Sequence, residues 1–415
     1  MSEKRAVRMM PPIDAGLQIP KATAFILDTQ TRNQLRQCFT RLGLEDFNIE
    51  RGDVRDAIRS YSEISSPELL IIDISNSDMP LSKLETLSNV CSPDIKVVVI
   101  GDQDNVGLYR NLMQYGVSEY LVKPLPADLL YQTLHKLNSI QADAVKPLKA
   151  GKNIGVIGSS GGVGATTLLA GLSDVLSRKF HRRVMLLDLN LHDGDLGFQF
   201  GLKSDRGLLD LLEAPERIDE LFIERVSASL GPRLDLLFGE EELDKRIEPS
   251  GEAIDILLKY LSKSYHFVML DVMKAPTSKR LEILSKMDVC IIVMDNGISS
   301  LNQCRRLFEK LGATQGQKQN LVVLNQPRPT LKTDIPLSKI ESIIGQPVDF
   351  HLSYDGRNHS ETSLSAKPAS QGRGKAPRQI MKIAQSLAGP ITHNETKSLF
   401  GKMVNGGKDV WQKIR

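Results

Sequence analysis

The chain has 415 residues, 41% of them hydrophobic and 25% charged, with 53 lysines and arginines against 50 aspartates and glutamates. That length exceeds one ordinary core and suffices for two, and a formal net charge of +3 offers no basic excess that would argue for nucleic acid. No apolar run reaches the length of a membrane span, residues 1–20 hold no signal-peptide core, and Cys38, Cys91, Cys290 and Cys304 form no CxxC pair; the expectation is a cytoplasmic protein with buried thiols.

Residues 1–20 read as a flexible tail. From 21 to 138, short aliphatic runs (ATAFILD, ELLIIDIS, IKVVVIGD, EYLVKP) alternate with amphipathic stretches (RNQLRQCFTRLGL, LSKLETLSNV, VGLYRNLMQYGV, ADLLYQTLHKL). Strands alternating with helices predict a parallel sheet covered on both faces. Residues 139–152, SIQADAVKPLKAGK, are polar and small and read as a linker. A second unit, 153–390, repeats the alternation with strands NIGVIG, VMLLDL, FVMLDV, VCIIVMD and NLVVLNQ. The fold class is α/β, two doubly wound parallel-sheet domains. Within the second, DGRNHSETSLSAKPASQGRGKAP is rich in Ser, Gly and Lys and predicts a long surface loop or a partly disordered segment. His181, His192, His266 and His351 lack metal-ligand spacing and read as solvated or core residues.

In the first unit Asp28 ends the run AFILD, Asp73 ends LLIID, and Lys123 and Pro124 follow EYLV. This order resembles the receiver domains of response regulators, in which the aspartate after the third strand is phosphorylated. The resemblance implies a pocket of Asp28, Asp73 and Lys123. Two parts of that apparatus are missing: the second acid of the first strand is Thr29, and the hydroxyl position after VVVI is Gly101. Phosphorylating a carboxylate needs magnesium held by clustered acids and a hydroxyl for the new phosphoryl oxygens. A phosphate-switched receiver and a residual Asp73–Lys123 polar pair both stay open, and the gaps favour the second, with the domain serving for docking or dimerisation.

The second unit opens with NIGVIGSSGGVGATTLLAGLSDVL: strand, glycine loop, helix. That context is what makes a phosphate-loop motif meaningful. Backbone N–H groups of Gly161, Gly162, Val163 and Gly164, continued by Ala165, Thr166 and Thr167 at the positive end of the helix, form an anion cradle that needs no side chain. A tight strand-to-helix turn is the plainer alternative. Downstream, Asp188 ends VMLLD, Asp271 ends FVMLD, and Asn325 and Pro327 close NLVVLNQP. The four motifs in this order resemble the deviant-Walker ATPases that include ParA and MinD. The resemblance implies ATP and magnesium as ligands, with Thr166, Asp188 and Asp271 around the metal and Asn325 and Pro327 where that family contacts adenine. Capping of the following loop is the alternative for Asp271. The family's signature lysine falls on Ser160, the ordinary phosphate-loop lysine on Ala165, and the acid that positions water on Asn190. Phosphoryl transfer rests on charge neutralisation and positioning. The expectation is therefore ATP binding with weak or absent hydrolysis and no catalytic residue.

A receiver-like domain ahead of a ParA/MinD-like domain resembles the TadZ/CpaE proteins of Flp (Tad) pilus assembly. The resemblance implies a homodimeric localisation and assembly factor for pilus or secretion machinery, often placed at a cell pole. A working ATPase that cycles on a membrane or polar surface is the alternative; Ser160, Ala165 and Asn190 favour the scaffold. Residues 391–415 end in TKSLFGKMVNGGKDVWQKIR, where Phe400, Met403, Val404, Trp411 and Ile414 fall near one helical face and five basic residues outnumber Asp409. A basic amphipathic tail suits an inner-membrane surface or a protein partner. Gly406 and Gly407 weaken such a helix, and a tail docked on its own domain or left unfolded is the other reading.

Overall fold

The computed structural model describes residues 21–389 apart from 78, 140–150, 193, 204–205, 241–249, 273–276, 312–318 and 327–334. The N-terminal tail, most of the linker, Pro327 and the basic tail with its proposed membrane contact thus lie outside the described residues.

The first domain runs β1 (Ala22–Phe25), α1 (Thr29–Arg41), β2 (Phe47–Glu50), α2 (Val54–Glu63), β3 (Leu69–Asp73), α3 (Pro80–Val90), β4 (Lys96–Gly101), α4 (Val106–Gln114), β5 (Glu119–Val122) and α5 (Ala127–Ser139). Its five strands are parallel, in the order β2-β1-β3-β4-β5. Successive strand residues point to opposite faces. Leu70, Ile72, Val97 and Val99 therefore join one apolar cluster, while Ile71, Val98 and Ile100 join the other. The continuous apolar runs made the inner strands legible. β2, with the sequence FNIE, is a half-exposed edge strand paired only with β1, and neither it nor α2 stands out in the chain.

The second domain comprises β6 (Lys152–Gly158), α6 (Ala165–Arg178), β7 (Val184–Asp188), α7 (Leu196–Gln199), α8 (Gly207–Glu213), α9 (Glu220–Val226), β8 (Ala228–Gly231), β9 (Leu234–Leu237), α10 (Gly251–Ser264), β10 (Phe267–Asp271), α11 (Thr277–Ser285), β11 (Val289–Met294), α12 (Ile298–Leu311), β12 (Gln319–Asn325), α13 (Leu337–Ile344), β13 (Phe350–Leu352), α14 (Gly356–Leu364) and α15 (Ala376–Ala388). Its eight strands lie in the order β13-β12-β11-β6-β10-β7-β9-β8. The same alternation sends Ile154 and Val156 of β6 to one cluster and Ile157 to the other. The sheet departs from the expected all-parallel form at one edge, where β8 pairs antiparallel with β9. Only two residues join those strands, a length that permits a hairpin and excludes a crossover.

The Ser- and Gly-rich stretch after Tyr354 is not a loop. It contains α14, a 3-10 turn at Ala369–Gln371 and the start of α15. Its order comes from distant hydrogen bonds. Asp174 on α6 accepts from Ser370 Oγ at 2.6 Å and Gln371 Nε2 at 2.7 Å, and Asp355 accepts the N–H groups of Lys375 and Ala376 that open α15. Composition alone does not carry that information.

The two domains meet through cations of the second and helix ends of the first. Arg233 donates to the carbonyls of Tyr61, Ile64, Val90 and His181, and Arg182 to those of Asn89 and Ala388. Apart from that of His181, which follows α6, these carbonyls cluster at the C-terminal ends of α2, α3 and α15, the negative ends of helix dipoles. His266 completes the contact: its Nδ1 accepts the N–H of Arg183, so Nε2–H donates to the carbonyl of Ser88 at 3.1 Å. Burial first, then the nearby arginines, push the His266 imidazole down to about 3.

Candidate functional site

Each domain gathers its carboxylates where parallel sheets place ligands, at the carboxyl ends of the strands. In the first domain the three residues read from the sequence do converge. Lys123 Nζ lies 2.7 Å from Asp28 Oδ2 and 2.5 Å from Asp73 Oδ2. Asp73 is fully buried. Its other contacts are the N–H of Leu27 at 3.2 Å and the N–H and hydroxyl of Ser75 at 3.0 and 2.6 Å. Burial opposes the charge on Asp28, but Lys123 and the N–H of Thr31 hold its carboxyl down to about 2. Burial likewise opposes the charge on Lys123, and the two carboxylates raise its pKa. Beside them, the place of the receiver hydroxyl is taken up. A Cβ on Gly101 would lie 2.5 Å from Tyr120 Oη, which donates to the carbonyl of Gln103 at 2.9 Å.

In the second domain the glycine loop follows β6 and wraps the start of α6. Gly162 and Gly164 have φ of +75° and +88°, a left-handed backbone that L side chains rarely adopt. The loop is pinned at both ends. Ser159 N–H donates to Val293 at 2.8 Å and its hydroxyl meets Ser300 Oγ at 2.6 Å, while Asn325 Nδ2 donates to the carbonyl of Val163 at 2.7 Å. Gly164 is needed for that closure, since a Cβ there would sit 2.5 Å from Asn325 Nδ2.

Thr166 Oγ1 donates to Asp271 Oδ2 at 2.6 Å, so two hard oxygen ligands stand side by side below the loop. Asp271 and Asp188 are register partners on adjacent strands. Asp188 accepts the N–H groups of Asn190 at 3.0 Å and Leu196 at 3.2 Å. Burial pushes its carboxyl up to about 6.

These elements border a cavity of about 670 Å³, within the ~300–1,000 Å³ range of small-molecule sites. Gly161, Gly162, Val163, Gly164, Ala165, Thr166 and Thr167 line it, together with Ser160, Asn190, Asp271 and Asn325. Asp188 stands behind Asn190 and is not among the lining residues. The glycine-loop backbone lining the cavity and the Thr166–Asp271 pair fit a magnesium-bound polyphosphate. Among the described residues no group of three or more His, Cys, Asp or Glu could hold a metal.

The lining residues that escaped the sequence reading include Arg280 on α11, Gln303 on α12 and Asp355 before α14. The signal for Arg280 was a basic pair, Lys279 and Arg280, on the helix after the Asp271 strand. Nothing local marks Gln303 or Asp355.

Residues 152–337, a little under half of the chain, match the family model described as cellulose biosynthesis protein BcsQ. Among curated proteins there is no significant match. A ParA family ATPase from Chlorobium tepidum TLS is similar at 21% identity, over 57% of this chain and 99% of that one, with a TM-score of 0.52. The septum site-determining protein MinD of Pyrococcus horikoshii OT3, complexed with Mg-ADP, is similar at 20% identity over 57% and 96%, with a TM-score of 0.50. The pilus assembly protein CpaE of Caulobacter crescentus CB15 is similar at 28% identity over 28% of this chain and 97% of its own, with a TM-score of 0.27. The fold read from the glycine loop and its downstream strands is that of the ParA/MinD ATPases, and CpaE pilus assembly proteins stand among the similar structures.

Proposed function

We propose that this chain, whose second domain has the ParA/MinD fold, is a nucleotide-binding localisation and assembly factor for a pilus or related secretion machine. In this reading it binds Mg-ATP with little or no hydrolysis. The observation that carries it is the pairing of an intact amide cradle and the Thr166–Asp271 oxygens with Ala165 and Ser160 where cations would stand. Backbone N–H groups and a helix N-terminus suffice to bind phosphate. Turnover needs positive charge placed on the transferring group.

Bound nucleotide supplies negative charge that the cradle and α6 receive, while Thr166 and Asp271 orient the accompanying metal. Asn325 keeps the loop closed, and Asn190 offers an amide where hydrolysis would call for an acid. The pilus role is supported by the domain order and by the pilus assembly proteins among the similar structures. The protein works as a homodimer in this reading, at the cytoplasmic side of the inner membrane or a pole, with the tail after 390 as its surface contact. Titration with Mg-ATP beside a steady-state hydrolysis assay tests it. Binding without turnover is the expected result, and turnover at ordinary ATPase speed establishes the cycling ATPase instead. Co-sedimentation with anionic liposomes, lost on deleting the residues after Glu395, tests the tail.

A further inference from the structure

The cavity holds one cation whose hydrogen-bonding capacity is unused. Arg280 lines the same wall space as the glycine loop and Asp271. Its Nε is buried without a hydrogen-bond partner, and among the described residues the side chain makes no ion pair. Arg280 as a whole is half-buried, whereas the buried Arg182 and Arg233 spend their N–H groups on backbone carbonyls. A buried N–H of a guanidinium left without an acceptor is costly. A guanidinium also presents a fixed fork of donors matched to phosphate oxygens.

We infer that Arg280 is the phosphate-binding cation of this pocket, supplied from α11 in the same chain in place of the lysines absent at Ser160 and Ala165. The inference rests on the nucleotide-binding reading above and adds a residue to it. It also accounts for how a loop without lysine keeps affinity for a polyanion, while weak hydrolysis then rests on Asn190 standing where an acid would position water. The acceptors missing around Arg280 are those a nucleotide's phosphates bring.

The test uses the full-length protein as wild type, Arg280→Ala and Arg280→Lys, titrated with Mg-ATP, Mg-ADP, AMP and inorganic phosphate, with a ligand-free thermal melt of each. Arg280→Ala should weaken Mg-ATP and Mg-ADP by about 10- to 100-fold, the loss expected for one charge-assisted contact. Arg280→Lys should recover part of it, Ala165→Lys placed in the Arg280→Ala protein should restore binding, and the ligand-free melts should coincide. Wild type and Arg280→Ala binding Mg-ATP equally overturns the inference and leaves the nucleotide reading standing. A wild type that takes up inorganic phosphate through Arg280 but no nucleotide keeps the residue's role and overturns the reading. A wild type that binds none of the four ligands overturns both. A ligand-free melt lowered in Arg280→Ala, with AMP weakened as much as Mg-ATP, marks a structural residue and overturns the inference.

Discussion

The two carboxylate pockets of this protein sit at equivalent places on related sheets and differ in who balances their charge. In the first domain Lys123 reaches both Asp28 and Asp73, and Tyr120 occupies the space beside Gly101. In the second, Asp271 meets a neutral hydroxyl, Asp188 lies among N–H donors, and a cavity of about 670 Å³ opens above the loop. A carboxylate site neutralised from within has little use for a ligand. One bordered by amides, hydroxyls and a guanidinium without an acceptor suits the nucleotide proposed above.

The sharpest test of that contrast is Lys123→Met. Removing the lysine strands a fully buried Asp73 beside Asp28, and breaking such a pair costs about 3–5 kcal/mol. Urea unfolding should show that loss in the first domain, and adding Asp73→Asn to the same protein should return most of it. A change below about 1 kcal/mol would mean the pair contributes no more than a surface contact.

Gly164→Val attacks the other pocket. At φ +88°, with Asn325 Nδ2 2.5 Å from the new Cβ, a β-branched residue forces the loop open. Mg-ATP affinity should fall by about 100-fold or more, which is ~2.7 kcal/mol.

The joint between the domains responds to pH with a definite sign. His266 is held neutral in the folded protein at about 3, below the 6.5 of an ordinary imidazole. The unfolded chain takes up its proton first as pH falls, so this contribution is fully present above about 6.5 and declines steadily toward about 3. At pH 5 the loss is about 2 kcal/mol. Asp188 has the opposite sign, because its raised carboxyl near 6 favours the folded state as pH falls from about 6 toward 3.8. Comparing the wild type with His266→Asn at pH 7 and pH 5 isolates the histidine, and the pH-dependent loss should shrink by about 2 kcal/mol in the variant.

The smallest expected effect is a gain. Ala165→Lys puts a cation at the head of α6, facing the cavity, and should tighten Mg-ATP by about 10-fold. In the first domain, by contrast, a small phosphodonor should not label Asp73, as mass spectrometry would reveal. Stoichiometric labelling would erase the distinction between the pockets.

The alternation of aliphatic strands with amphipathic helices determined the α/β class and the two sheets, because strands buried on both faces must be apolar along their whole length. The glycine loop, Asp271 and the Asp28, Asp73 and Lys123 set were legible too, since each follows or ends a strand whose position is given by its apolar run, and Thr166 opens the helix that the glycine loop leads into. The half-exposed edges β2, β8 and β13 were not, because an edge strand has a single short partner and no continuous apolar signature, and β9 was missed because it is only four residues long. Order after Tyr354 was decided by Asp174 and Asp355, whose donors lie far along the chain or in the backbone. Arg280 became part of the pocket only when α11 packed beside the loop. A basic pair on a helix says nothing about what it faces until the sheet has brought that helix into place.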